Sequence, residues 1–226
     1  MGYVAFVEAV IFDLDGVLVN SEHLWDEVRR AIAAEAGRAW PADATAAMQG
    51  VGTADWSAYM ARVVGVPDAP EVIADRVIGA MADRYAERLP LMSGALEAVE
   101  RMARRWPLGL ASGSPRRLID VIMTATPLGK IFRVAVASDE VAANKPAPDV
   151  YLEVVRRLGS EPATTVAIED SANGFRAAHA AGLRVIAIPQ PAFPQAPEAL
   201  SLADSVLGSL DDLSTETVTN LLRATQ

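Results

Sequence analysis

The chain has 226 residues, 51% hydrophobic and 22% charged, enough to bury a sizeable core in one large or two unequal domains. A net charge of −9 argues against nonspecific binding to nucleic acid, and the absence of cysteine removes disulfides, thiolate metal sites and cysteine nucleophiles. No apolar run has the length of a membrane span. The N-terminal MGYVAFVEAV lacks the basic region of a signal peptide, and Phe6 breaks a myristoylation pattern, so the expectation is a cytoplasmic enzyme or binding protein.

The first ordered signal is AVIFDLDGVLVNSE, Ala9 to Glu22. Its apolar start predicts a fully buried strand. Asp13 and Asp15 follow, two apart and hence on one face, roughly 6–7 Å from each other along an extended chain. Gly16 then permits a turn that a Cβ would obstruct. Ionised groups at the end of a buried strand cost several kcal/mol unless donors or a cation compensate. The alternative is a surface turn carrying two solvated aspartates.

Helical periodicity takes over with Ser21 as a candidate N-cap and Leu24, Val28, Ile32 and Ala36 on one stripe, ended by Gly37. Further helices are predicted over Ala42–Gln49, Thr53–Val64 and Ala69–Arg88, which makes residues 21–88 an all-helical unit. From Gly94 onward helices and strands alternate. Helices are predicted over Ala95–Arg105, Pro115–Thr124, Pro148–Leu158, Asn173–Ala181 and Asp211–Arg223. Strands are predicted over Leu108–Ala111, Val134–Ala137, Thr165–Ile168 and Val185–Ile188, with a weak one near Ser205–Leu207. The proline-rich stretch Pro189–Pro197 reads as a loop. The fold class is α/β, a Rossmann-like parallel sheet with helices on both faces. Residues 1–20 and 89–226 form this core, and residues 21–88 are an inserted helical cap placed over the strand ends, where function sits in such sheets.

Each strand's carboxyl end carries a polar signature. Ser112-Gly113-Ser114 leads into a helix opened by Pro115, so its backbone N–H groups and the Ser112 hydroxyl could hold a phosphate, with Arg116 as an added cation. An ordinary N-cap explains the same residues. Asn144-Lys145-Pro146 is either surface punctuation or a point charge for a phosphoryl oxygen or a carboxylate. Glu169-Asp170 either caps the next helix or, with Asp13 and Asp15, offers the hard oxygen ligands that magnesium takes.

Taken in order, FDLDGVLVNSE, LASGS, NKPAPDVY and IEDSANGFRAAHAAG resemble the four motifs of the haloacid dehalogenase superfamily. The resemblance is closest to its helical-cap subfamily, which includes the β-phosphoglucomutase-like phosphatases. It implies Asp13 as the nucleophile that becomes an aspartyl phosphate, Asp15 as general acid/base, Ser112 as the phosphate-binding hydroxyl and Lys145 as the charge-stabilising lysine. It further implies Mg2+ held by Asp13, Asp170 and the Asp15 backbone carbonyl, with Glu169 supporting the metal site. The expected activity is hydrolysis of a small phosphorylated metabolite, a sugar or polyol phosphate, by a chain favoured as a monomer.

Departures from the pattern sort the members. Dehalogenases lack the second aspartate, and Asp15 is present. The mutases carry a cap histidine and a G-V-S-R arginine where this chain has Trp25 and, in Gly50-Val51-Gly52-Thr53, a threonine. Hydrolysis is therefore favoured over a phosphomutase, and a non-catalytic phosphometabolite-binding protein is the remaining alternative. Asn20 replaces a common aspartate. Glu22 either faces the substrate or favours the helix start, His23 is either a substrate contact or a surface residue, and His179 is structural. Trp25, Trp56 and Tyr59 are read as cap core.

Overall fold

The structure is a computed structural model and describes residues 6–222, so the expectations on residues 1–5 and 223–226 lie outside it. Six strands pair in parallel: β1 (Ala9–Phe12), β2 (Leu108–Ala111), β3 (Val134–Val136), β4 (Thr165–Glu169), β5 (Arg184–Ala187) and β6 (Ser205–Val206). Their order is β3-β2-β1-β4-β5-β6, which puts β1 in the middle. Phe12 pairs with Leu110 on one side and Ile168 on the other, so Asp13 emerges level with Ala111 and Glu169.

Every residue of β1, β2 and β4 is buried, as strands covered on both faces require. Period-two alternation then divides the core in two. Val10 and Phe12 enter one cluster with α5 (Ala95–Ala103) and α6 (Arg116–Ala125). Ile11 enters the other, among Val150, Tyr151 and Val154 of α8 (Asp149–Leu158) and Phe175 and Ala178 of α9 (Ala172–Ala180).

Between β1 and α5 the elements are all helices: α1 (Glu22–Glu35), α2 (Ala44–Met48), α3 (Thr53–Tyr59) and α4 (Pro70–Glu87). The predicted run to Val64 is completed by one π-helical turn, Met60–Val64, ended by left-handed Gly65. Trp25, Trp56, Met60, Met81 and Tyr85 join the same cluster as Phe12, continuing the core from the sheet into these helices.

Some expectations need correction. Ser21 does not cap α1; its hydroxyl donates to Asp15 instead. The predicted final helix is a 3-10 turn at Leu210–Asp212 followed by α11 (Thr215–Asn220), because Ser214 restarts the chain by accepting from the Thr217 N–H. Two short helices had no clear period: α7 (Leu128–Ile131), and α10 (Pro197–Leu200), which Pro197 opens at the end of the proline-rich loop.

Gly109 in β2 marks where α8 lies against the sheet, since a Cβ there would overlap Val154 and crowd Leu158. Gly109→Ala is expected to destabilise the fold by about 1–3 kcal/mol. Thermal denaturation should show a fall of about 2–10 °C. An unchanged melting temperature would mean that α8 moves freely on the sheet.

Candidate active site

Asp13 ends β1 and is nearly buried, held by its N–H to the Ile168 carbonyl (2.9 Å). Lys145 reaches it from the segment before α8: its Nζ donates to Asp13 Oδ1 and to Glu169 Oε1, both at 2.6 Å, and to the Ala111 carbonyl at 3.1 Å. Glu169 is wholly buried and has donors on both oxygens. Oε1 also accepts from the Tyr151 hydroxyl (3.0 Å), and Oε2 accepts from the N–H groups of Asp170 (2.9 Å) and Ser171 (3.1 Å) and from the Ser171 hydroxyl (3.2 Å). This carboxylate thus sits at the N-terminus of α9, where backbone donors favour an anion. Gly174 makes room, since a Cβ there would overlap the Glu169 carboxyl group.

Oxygens of Asp13, Glu169 and Asp170 lie within 4.8 Å of one another. Burial pushes Asp13 well up from the usual carboxylate range, Lys145 pulls it back, and Glu169 and Asp15 push it up again. Asp170 is raised too, by burial first and then by Glu169 and Asp13. Burial alone would lower Lys145, but Asp13 and Glu169 outweigh it and keep the ammonium charged. Three buried carboxylates around one ammonium leave surplus negative charge, and all the donors are hard oxygens. That set fits a hard divalent cation. Gly16, at φ +81°, closes this corner, because a Cβ would overlap the Asp170 carboxylate.

Asp15 faces a different environment. Its Oδ1 accepts from Ser21 (2.6 Å), and its Oδ2 accepts from Ser114 (2.7 Å) and Ser112 (3.3 Å). Its carboxylate is outside the carboxylate triad, so only its backbone carbonyl remains as the expected ligand. Ser112 is fully buried and also accepts from the Ser114 N–H (2.9 Å), whereas Gly113 and Ser114 line the open space.

Arg116 is a correction. It points away from this space, donating to the Ala135 carbonyl (2.6 Å) and pairing with Glu140 and Asp120, while its N–H donates to Asp139 (3.0 Å). These acids, two of them in the turn after β3, out-compete the site for its charge.

The open space is a cavity of about 550 Å³. Asp13, Asp15, Lys145 and Asp170 line it from the sheet, and Glu22, Trp25, Arg29, Thr53 and Trp56 from the helices between β1 and β2. Glu22 is pushed up to about 7, first by burial and then by Asp15, with Arg29 opposing. Trp25 and Trp56 are core residues that also face the cavity. Asn20, His23 and His179 are exposed, and Tyr59 is half-buried against the core.

Sequence reasoning missed three contributors. Arg29, nearly buried on α1, carries no motif. Ser21 was assigned to a cap. Phe193 and Gln195 of the loop after β5 close one wall, and Gln190 of that loop donates to the Gly16 carbonyl (2.6 Å). The loop's place after a strand's carboxyl end was the available signal.

A family model described as haloacid dehalogenase-like hydrolase matches residues 7–182. Over 212 residues the chain is 34% identical to hexitol phosphatase B of Escherichia coli strain K12, a match covering 91% of this chain and 94% of that one. Over 181 residues it is 34% identical to the phosphorylated carbohydrates phosphatase of Thermotoga maritima, covering 80% and 84%. The crystal structure of CbbY from Rhodobacter sphaeroides in complex with phosphate matches with a TM-score of 0.84 and 27% identity, over 95% of this chain and 99% of that one. This chain belongs to the haloacid dehalogenase-like hydrolase family and is a phosphatase.

Proposed function

We propose that the protein is a magnesium-dependent phosphatase of small phosphorylated sugars or polyols, working through an aspartyl phosphate on Asp13. The observation that carries this reading is the pairing of two carboxylates on one cavity wall in opposite surroundings. Asp13 is bonded to Lys145, and Asp15 to three hydroxyls. The names of the phosphatases that the chain resembles support the substrate class.

In this reading Asp13 attacks phosphorus and forms an O–P bond as the bond to the substrate oxygen breaks. Asp15 gives its proton to the departing alkoxide. Asp15, now ionised, takes a proton from water, whose oxygen attacks the aspartyl phosphate, releasing phosphate and restoring Asp13. Lys145 and the donors of the Ser112–Ser114 turn balance charge on the phosphoryl oxygens. Bound magnesium, held by Asp13, Asp170 and the Asp15 carbonyl with Glu169 in support, supplies charge that keeps these carboxylates ionised and offsets phosphoryl charge.

Residues 21–88 act as a cap that excludes bulk water and reads the rest of the substrate, a role supported by their share of the cavity wall. One chain contributes every residue invoked, so a monomer suffices, and a cytoplasmic location goes with the metabolite class.

A panel of sugar and polyol phosphates assayed with magnesium tests this reading. Wild type should release phosphate from several, chelation should stop it, and Asp13→Asn should lower kcat by at least about 10³-fold. Conversion of hexose 1-phosphate to its 6-isomer without net phosphate release would favour the phosphomutase instead. Binding without turnover would favour a phosphometabolite sensor.

Glu22 gives a pH prediction. Its carboxyl binds a proton more tightly folded, near 7, than at its ordinary value of 4.5, so its contribution favours the folded state at low pH and is lost as pH rises through that window. Glu22→Gln stays neutral throughout. In metal-free buffer at pH 8 it should be more stable than wild type by about 1–3 kcal/mol, and the gap should close by pH 4. Urea denaturation at the two pH values reads this directly, and an equal gap at both would contradict it.

A further inference from the structure

The cavity has a cation at its cap side that the proposed chemistry does not use. Arg29 on α1 is 7% exposed, yet it lines the space that contains Asp13 and Asp15. Its guanidinium rests against two indoles, 4.9 Å from the Trp25 ring centre and 4.8 Å from that of Trp56, which are themselves 6.0 Å apart. This packing holds the charged group against two adjoining rings.

Its polar atoms are poorly served. Among the described residues its hydrogen bonding is limited to a 3.4 Å contact from Nη1 to the Met48 carbonyl, and the buried Nε has no partner. It forms no ion pair there with the neighbouring acids. Asp26 is taken by Arg30 at 2.5 Å and accepts from Thr45, and Glu22 acts on Arg29 only through space. A fixed, desolvated guanidinium on a cavity wall, with a single 3.4 Å hydrogen bond of its own, is an incomplete oxyanion site, since its planar fork matches a carboxylate or phosphate.

We propose that Arg29 anchors a second oxyanion of the substrate, a carboxylate or a second phosphate, at the end remote from the phosphate that is cleaved. The proposal rests on the phosphatase reading for which phosphate is cleaved, and narrows the substrate to phosphorylated sugar acids or sugar bisphosphates. Thr53 lines the same wall but is neutral, so Arg29 is the cation that the helical segment brings to the cavity. The volume of about 550 Å³ holds a six-carbon phosphate with a charged tail.

The test compares substrates matched in carbon skeleton: sorbitol 6-phosphate with 6-phosphogluconate, and glucose 6-phosphate with glucose 1,6-bisphosphate. Wild type should prefer the charged-tail member of at least one pair by about tenfold or more in kcat/KM, and which pair responds separates carboxylate from phosphate. In Arg29→Met, which keeps an unbranched stem against the indoles, the ratio should fall to near one. No preference in wild type, or a ratio unchanged in the variant, overturns the anchor. Should the variant not fold, the wild-type ratio alone decides.

If none of the four releases phosphate, calorimetric titration of the same pairs tests the anchor separately, and only silence across the whole panel counts against the phosphatase reading. Tighter binding of a charged-tail member, lost in Arg29→Met, sustains it. Equal affinities, or no binding of either charged-tail member, overturn it.

Discussion

The burial of Lys145 between Asp13 and Glu169 is the constraint on which the rest of the site depends. Two 2.6 Å ion pairs tie the end of β1 to the end of β4, and the ammonium also holds the Ala111 carbonyl at the end of β2. Three adjacent strand ends are therefore fixed by one side chain. Such an arrangement is a poor source of stability, because desolvating charges cancels most of their attraction. It is tolerated because Glu169 meets so many donors and because glycine stands at position 174, where a side chain would displace it. The charge left over after Lys145 is counted distinguishes a site from a structural ion pair.

The two aspartates of the first motif differ by two positions in sequence and by everything around them in space. Asp13 sits among charges, and its burial and carboxylate neighbours resist ionisation. Asp15 is half-buried among hydroxyls from two separate turns, Ser21 at the entry to α1 and Ser112 and Ser114 after β2. Environments that differ this much let two chemically equal groups take different roles. Ser21 also joins the chemistry to the helical segment, since the residue that opens α1 bonds to Asp15.

Much of this was legible in the sequence, because a parallel sheet collects its carboxyl ends along one edge. Once the βα alternation is recognised, Asp13, Ser112, Lys145 and Asp170 must converge, whatever the details of packing. What escaped were side chains whose partners lie on another element. Arg29 sits beside Arg30 in α1, and its packing against Trp25 and against Trp56 of α3 makes it a cavity cation while Arg30 pairs with Asp26 at the surface. Arg116 failed in the opposite sense: its sequence position at a helix start suited an anion, but Glu140 from after β3 claims it. The Ser21 hydroxyl could accept from the helix N–H groups or donate to a carboxylate, and it donates to Asp15.

A net charge of −9 is compatible with a phosphorylated substrate once the charges are sorted by depth. At a Debye length near 8 Å, acids spread over the surface are largely screened from one another and from a cavity between two layers. The cavity itself is lined by Lys145, the turn before α6 and the guanidinium of Arg29, in a low-dielectric setting where each counts for more than a solvated acid. Contacts between the two layers keep it so. Asn173 after β4 donates to the Gly50 carbonyl (3.0 Å), and Asn144, next to Lys145, packs against Gly52 with no room for a Cβ. The segments that read as motif flanks thus hold the helices against the sheet edge, and the local field of the cavity, rather than the global sign, decides what it admits.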